Sequence, residues 1–252
     1  MAELLKKTAS EEPDVQDPTR ETPTDKTWMQ RIEVRWLLAL LATAALVLVF
    51  GLLAEEVMEG DTSAFDRHLI LLLRDPANPG HLLGPPWLAE ALRDLTSLGS
   101  VLVLSTVIVI VLGYLALTRN RFAFSFVLGA VVGGEIISTV LKIVFERARP
   151  DLIPGAPLVF SASFPSGHAM LSAVTYLTLG AMLARLEPRR AVKVYFLAVA
   201  FALTILVGVS RVALGVHWPT DVLAGWCGGA AWALLCSIVA AGLRPRDLGA
   251  AQ

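Results

Sequence analysis

The chain has 252 residues, 55% of them hydrophobic and 17% charged, with a mean hydropathy of +0.64. Ordinary globular domains are about 45–50% apolar and about 25% charged. That shift excludes a disordered chain, a nucleic-acid binder and most soluble enzymes, and a formal net charge of -1 gives no general attraction to polyanions. The pattern predicts an all-α integral membrane bundle in which any anion recognition comes from a local cluster.

Residues 1–35 are polar, rich in Pro, Thr, Glu, Asp and Lys, and lack a helical apolar period. They read as a solvated, disordered tail. A cleaved signal peptide would show a short basic start and then an apolar core, whereas the first apolar run begins at Trp36. Apolar runs then follow at 36–54, 101–117, 122–145, about 169–186, about 192–209 and 222–243. A span takes about 20 such residues, so the region 36–243 is predicted to hold six transmembrane helices. The runs at 101–117, 169–186 and 192–209 are marginal in length, and Arg185 and Lys193 near their ends can snorkel.

Between the first two runs, residues 55–100 form an outer loop. Its apolar positions 88, 91, 92, 95 and 98 suit an amphipathic helix on the membrane surface, and equally a loop packed against the bundle. Asp66 and Arg67 in this loop read as solvated charges, with substrate contact as the alternative, and His68 and His81 as structural or solvated histidines. In the last run, Gly225, Gly228, Gly229, Ala230 and Ala231 predict close helix packing. Cys227 and Cys236 share that run, which argues against a disulfide framework or a zinc site and for two buried apolar side chains. Residues 244–252 form a short closing tail.

Basic residues orient the chain. With the N-terminus inside, the outer face receives Arg67, Arg74, Arg93, Lys142, Arg147, Arg149 and Arg211, and the inner face the other 14 of the 21 Lys and Arg residues. Both termini are therefore expected in the cytoplasm.

Three outer stretches carry chemistry. Lys142-Ile-Val-Phe-Glu-Arg-Ala-Arg149-Pro150 closes the third span, Pro165-Ser166-Gly167-His168 opens the fourth, and Ser210-Arg211-Val-Ala-Leu-Gly-Val-His217-Trp-Pro-Thr-Asp221 runs between the fifth and sixth. The topology brings all three to one face. Lys142, Arg149 and Arg211 offer three cations, two of them guanidiniums that fork onto phosphate oxygens. Ser166 and Gly167 stand where a helix begins, with free N–H groups and the positive end of its dipole. His168 and His217 supply imidazoles for attack or proton transfer near neutral pH. Asp221, four residues after His217, can hold its tautomer as in a catalytic triad. Pro219 suits the first helical turn of the last span. Glu135 lies mid-span, where an ionisable group is functional by default, and two turns before Lys142, so it is a candidate supporting partner beneath the pocket, a polar contact between helices, or a protonated bystander.

Together these stretches resemble the three-part signature of the type 2 phosphatidic acid phosphatases, the lipid phosphate phosphatases, whose pocket vanadium haloperoxidases share. Every signature position is present, in order, over residues 142–221. The resemblance implies that His217 attacks phosphorus to form a phosphohistidine, that Asp221 orients it, and that His168 protonates the leaving group and then activates water. Lys142, Arg149, Ser166, Gly167 and Arg211 would cradle the phosphoryl oxygens, with Ser210 in a supporting role. It also implies no cofactor and no metal, a lipid phosphate or isoprenyl pyrophosphate as substrate, and membrane lipids but no nucleic acid as partners. The expected location is a bacterial inner membrane with the pocket facing the periplasm. A phosphotransferase on the same site and a non-catalytic lipid-binding protein are the alternatives.

Overall fold

A computed structural model describes residues 23–153 and 161–243, with side chains from Val34 onward. The chain divides into two compact units, Met1–Leu38 and Ala39–Gln252. The described part of the first is the start of helix α1 (Pro23–Glu59). The second continues through α2 (Ser63–Leu72), a hairpin of β1 (Arg74–Asp75) and β2 (Asn78–Leu82), α3 (Pro86–Ser97), α4 (Val101–Leu117), α5 (Arg121–Phe145), α6 (Gly167–Leu186), α7 (Arg190–Ala213) and α8 (Pro219–Gly242).

Five helices are long and apolar enough to cross a membrane: the Val34–Glu59 part of α1, then α5, α6, α7 and α8. A sixth span forms if α3 and α4, which join across a 43° bend, are taken as one broken crossing. The all-α membrane bundle is thus as expected, with different edges. Helix α1 starts at Pro23, so the last part of the expected tail is helical. A proline suits the first helical turn, and extending an existing helix is far easier than nucleating one. Residues 1–22 and 244–252 lie outside the described residues. Stretch 88–97 is helical, and α3 packs against α7 before bending into α4. Helix α7 runs past the apolar edge at 209 and takes Ser210 and Arg211 into its last turn, where a cation complements the helix dipole.

Helix ends follow local chemistry. The Ser100 hydroxyl accepts from Val103 N at 3.3 Å to start α4, and the Asn120 carbonyl oxygen accepts from Ala123 N at 3.1 Å to start α5. The core is centred on α6, which packs chiefly against α7 and α8. Small residues permit this. A Cβ on Gly229 would stand 2.4 Å from Met170 O, and one on Gly180 2.7 Å from Ala200 Cβ. On α1, α4 and α5, Leu41, Leu48, Leu102, Ile136, Val140 and Ile143 are exposed, which suits contact with hydrocarbon.

Candidate active site

Four helix ends, at two breaks in the helical chain, bring the site together. Helix α5 ends at Glu146, which adopts a left-handed conformation (φ 41°) and donates its N–H to Lys142 O at 3.2 Å. The chain then runs extended through Arg147 and Arg149. It returns as Ser163–Ser166, all four residues buried, with Ser163 N donating to Arg147 O at 2.8 Å and Ser166 N to Asp221 O at 2.9 Å. The second bond ties the start of α6 to the start of α8. Helix α7 ends in a turn at Gly215 (φ 69°), where a Cβ would overlap Ile153. Only glycine meets both demands. That turn delivers Val216 and His217 to Arg149, and Pro219 then opens α8.

His217 is 1% exposed. Its Nδ1 lies 3.4 Å from Asp221 Oδ2 and 3.3 Å from the Ser163 hydroxyl. Its Nε2 lies 3.0 Å from Nη1 of Arg149. Burial pushes the imidazole down to about 4, outweighing the opposing pull of Asp221. The ring is therefore neutral at physiological pH. With the hydrogen on Nδ1, directed at Ser163 and Asp221, Nε2 carries a lone pair facing Arg149. Asp221 also caps α8, accepting from Trp218 N at 2.9 Å and from the Ser163 hydroxyl at 2.5 Å through Oδ2.

Cations gather around this ring. Arg149 is spread over backbone oxygens, with Nε to Ser161 O at 2.9 Å and Nη1 to Val216 O at 2.7 Å. Lys142 Nζ donates to Ala162 O at 2.9 Å, and its stem lies 3.3 Å from where a Cβ on Gly167 would stand. Arg211 reaches Thr96 Oγ1 at 3.0 Å. Two buried groups, Nε of Arg211 and the Ser166 hydroxyl, find no partner among the described residues. Native folds rarely leave such groups unpaired unless something else binds there. His168, in the first turn of α6, lies within electrostatic reach of Arg211, His217, Lys142 and Arg149. A cavity of about 720 Å³ opens beside the Lys142–Arg149 wall, lined also by Thr139, Ile143 and Ala162. Ile143, on α5, is 66% exposed.

All eight principal positions therefore converge: Lys142, Arg149, Ser166, Gly167, His168, Arg211, His217 and Asp221. The two supporting candidates do not join them. Glu135 sits exposed on α5 and forms no hydrogen bond or ion pair with the site, reaching Lys142 only through space. Ser210 turns its hydroxyl back onto Val207 O of its own helix at 2.6 Å. Asp66 corrects the sequence reading in the other direction. It is fully buried and ion-paired to Arg147 at 2.8 Å, because α2 folds onto the start of α8. Ser163, Thr96 and Arg147 also belong to the assembly without having been singled out. Among the described residues, no group of three His, Cys, Asp or Glu side chains is placed to hold a metal ion.

With this geometry in place, comparison with known proteins is direct. Residues 122–244 match the PAP2 superfamily model. The chain is 38% identical over 150 residues to phosphatidylglycerophosphatase B of Bacillus subtilis, spanning 58% of this chain and 71% of that protein. It is 36% identical over 104 residues to undecaprenyl-diphosphatase of Sulfolobus acidocaldarius, covering 40% of this chain and 45% of that one. The crystal structure of the transmembrane PAP2 type phosphatidylglycerolphosphate phosphatase from Bacillus subtilis superposes with a TM-score of 0.70 at 30% identity, over 81% of this chain and 98% of that chain. The chain belongs to the PAP2 superfamily and is an integral membrane phosphatase of that family.

Proposed function

We propose that this phosphatase hydrolyses the terminal phosphate of a lipid phosphate through a phosphohistidine on His217. The observation that carries the reading is the pair of buried, unpartnered donors, Arg211 Nε and the Ser166 hydroxyl, grouped with Lys142, Arg149 and the neutral His217. They are suited to a phosphoryl group. The Nε2 lone pair forms the N–P bond as the P–O bond to the lipid breaks, and His168 gives its proton to the leaving oxygen. His168 then takes a proton from water, water attacks phosphorus, and the P–N bond breaks to release orthophosphate. Asp221 and Ser163 hold the Nδ1–H tautomer throughout. Lys142, Arg149, Arg211, the Ser166 hydroxyl and the Gly167 N–H stabilise charge on the equatorial oxygens, so the step is expected to need no divalent metal.

A membrane-borne substrate is supported by the cavity at Lys142 and Arg149, whose wall continues into exposed Ile143. Phosphatidylglycerol phosphate is the first candidate and an isoprenyl pyrophosphate the second, after the activities in the relatives' names. The basic-residue asymmetry supports a pocket on the outer face, periplasmic in a bacterial inner membrane. The test is phosphate release by purified protein from both lipids, with and without chelator. His217→Ala should lower turnover by roughly three or more orders of magnitude while the protein stays monodisperse. Chelator should leave the wild-type rate largely intact and vanadate should inhibit. More than about a tenth of wild-type activity in His217→Ala would sink the nucleophile assignment.

A further inference from the structure

On the side of Asp221 away from His217 lies a buried ionic cluster that joins Asp221 to residues that are not signature positions. Arg147, between Lys142 and Arg149 in sequence, turns away from the phosphoryl wall. Its Nη1 donates to Asp221 Oδ1 at 2.6 Å and to Thr220 Oγ1 at 2.8 Å, and its Nη2 to Asp66 Oδ2 at 2.8 Å and Thr62 Oγ1 at 3.1 Å. The guanidinium also stands over the Trp218 ring, 5.6 Å from its centroid. Asp66 is fully buried and grips the first turn of α8 directly, accepting from Thr220 N at 3.0 Å and from the Thr220 hydroxyl at 2.6 Å. One guanidinium thus bridges two carboxylates, with the N-terminal dipole of α8 sharing the load.

We infer that Arg147 and Asp66 are positioning residues of the reaction: Asp66, from the outer-loop helix α2, holds Arg147, and Arg147 fixes Asp221 so that Oδ2 faces His217. The reason is geometric. Asp221 can hold the imidazole only while its own carboxyl plane is held. Oδ2 is shared among His217, Ser163 and Trp218 N, whereas Oδ1 is anchored by Arg147. Without that anchor the carboxylate is free to turn, and the Nδ1–H tautomer and the direction of Nε2 are lost with it. Arg147 lines the cavity beside Lys142 and Arg149, but both its terminal nitrogens are committed to Asp221, Thr220, Asp66 and Thr62, and Asp66 is fully buried, so substrate affinity should be largely spared. The inference rests on His217 as nucleophile.

The test is steady-state kinetics of the full chain in detergent, with phosphatidylglycerol phosphate or, if that is inert, an isoprenyl pyrophosphate. Arg147→Gln should lower kcat by about 30–300-fold and leave KM within about threefold. Combined with Asp221→Asn it should lower kcat by less than about threefold beyond Asp221→Asn alone, because residues acting as a unit are not additive. Arg147→Lys and the near-isosteric Asp66→Asn should fall between wild type and Arg147→Gln, and free guanidinium should restore part of the activity of Arg147→Ala. Full additivity with Asp221→Asn, or a raised KM with kcat preserved, would overturn the positioning role. So would loss of folded, monodisperse protein in both Arg147→Lys and Asp66→Asn, which would make the cluster structural. An active His217→Ala would bring down the nucleophile reading and this role together. An inactive His217→Ala with an additive cycle would bring down this role alone.

Discussion

His217 is a single side chain that contributes to the protein's response to acid. Burial holds its imidazole at about 4, whereas the same ring in an unfolded chain takes a proton near about 6.5. Between those values the unfolded chain binds the extra proton, so this residue makes stability fall as pH falls from 6.5 toward 4. The wild-type melting temperature should therefore drop across that window by more than that of His217→Gln. Parallel curves would mean that the ring is already charged in the fold. The signature residues around it were legible in the sequence because phosphoryl chemistry needs cations and imidazoles at fixed spacing, and they stand out in apolar surroundings. Arg147 was not, since an arginine at a span end usually means a membrane-interface anchor. Its partner Asp66 lies 81 positions away, and only the fold unites them. Glu135 is the opposite case: its mid-span position marks it out, and in the fold it is exposed on α5 without a hydrogen bond or ion pair to the site, acting on Lys142 only through its charge.

Helices α6 and α8 show the same relation one level up. The glycine spacing in the last span was readable as a close-packing face, and α8 indeed meets α6 through it. What spacing could not convey is which glycine adjoins the site. A Cβ on Gly225 would stand 2.8 Å from Ser166 O and 3.1 Å from Met170 N, both backbone atoms, whereas one on Gly228 would meet Phe50 at an ordinary 3.5 Å. Gly225→Ala should push on the Ser166–Gly167 turn, costing about 1–3 kcal/mol of stability and lowering turnover at least tenfold. Gly228→Ala should stay within about twofold of wild type. Thermal unfolding and phosphate release on the two variants check this, and a wild-type-like Gly225→Ala would refute it. Helix edges were less legible than helix existence. The run at 192–209 gave no sign that α7 extends through Ser210 and Arg211, because hydropathy cannot register the gain of a cation in a last turn.

Across the whole molecule, orientation decides which leaflet the enzyme serves. The asymmetry of Lys and Arg predicts that the loop carrying Asn78 is outside and the α6–α7 connection carrying Arg189 inside. Both residues are exposed. In a background lacking Cys227 and Cys236, an impermeant thiol reagent should label Asn78→Cys in intact spheroplasts and reach Arg189→Cys only after the membrane is opened. The reverse order would invert the orientation and move the substrate to the cytoplasmic leaflet.

The contact between Arg149 and Nε2 of His217 bears on what the resting protein can react with. For a nucleophilic His217 with its hydrogen on Nδ1, the Nε2 lone pair already accepts from Nη1 of Arg149, 3.0 Å away. A stray electrophile reaching the ring meets a masked atom. A phosphoryl group is different, because its oxygens compete for the same guanidinium and unmask the nitrogen as they bind. On the proposed mechanism the arginine would then act as a safety catch released by the substrate's own charge, and selectivity for phosphate would begin before any bond to phosphorus is made.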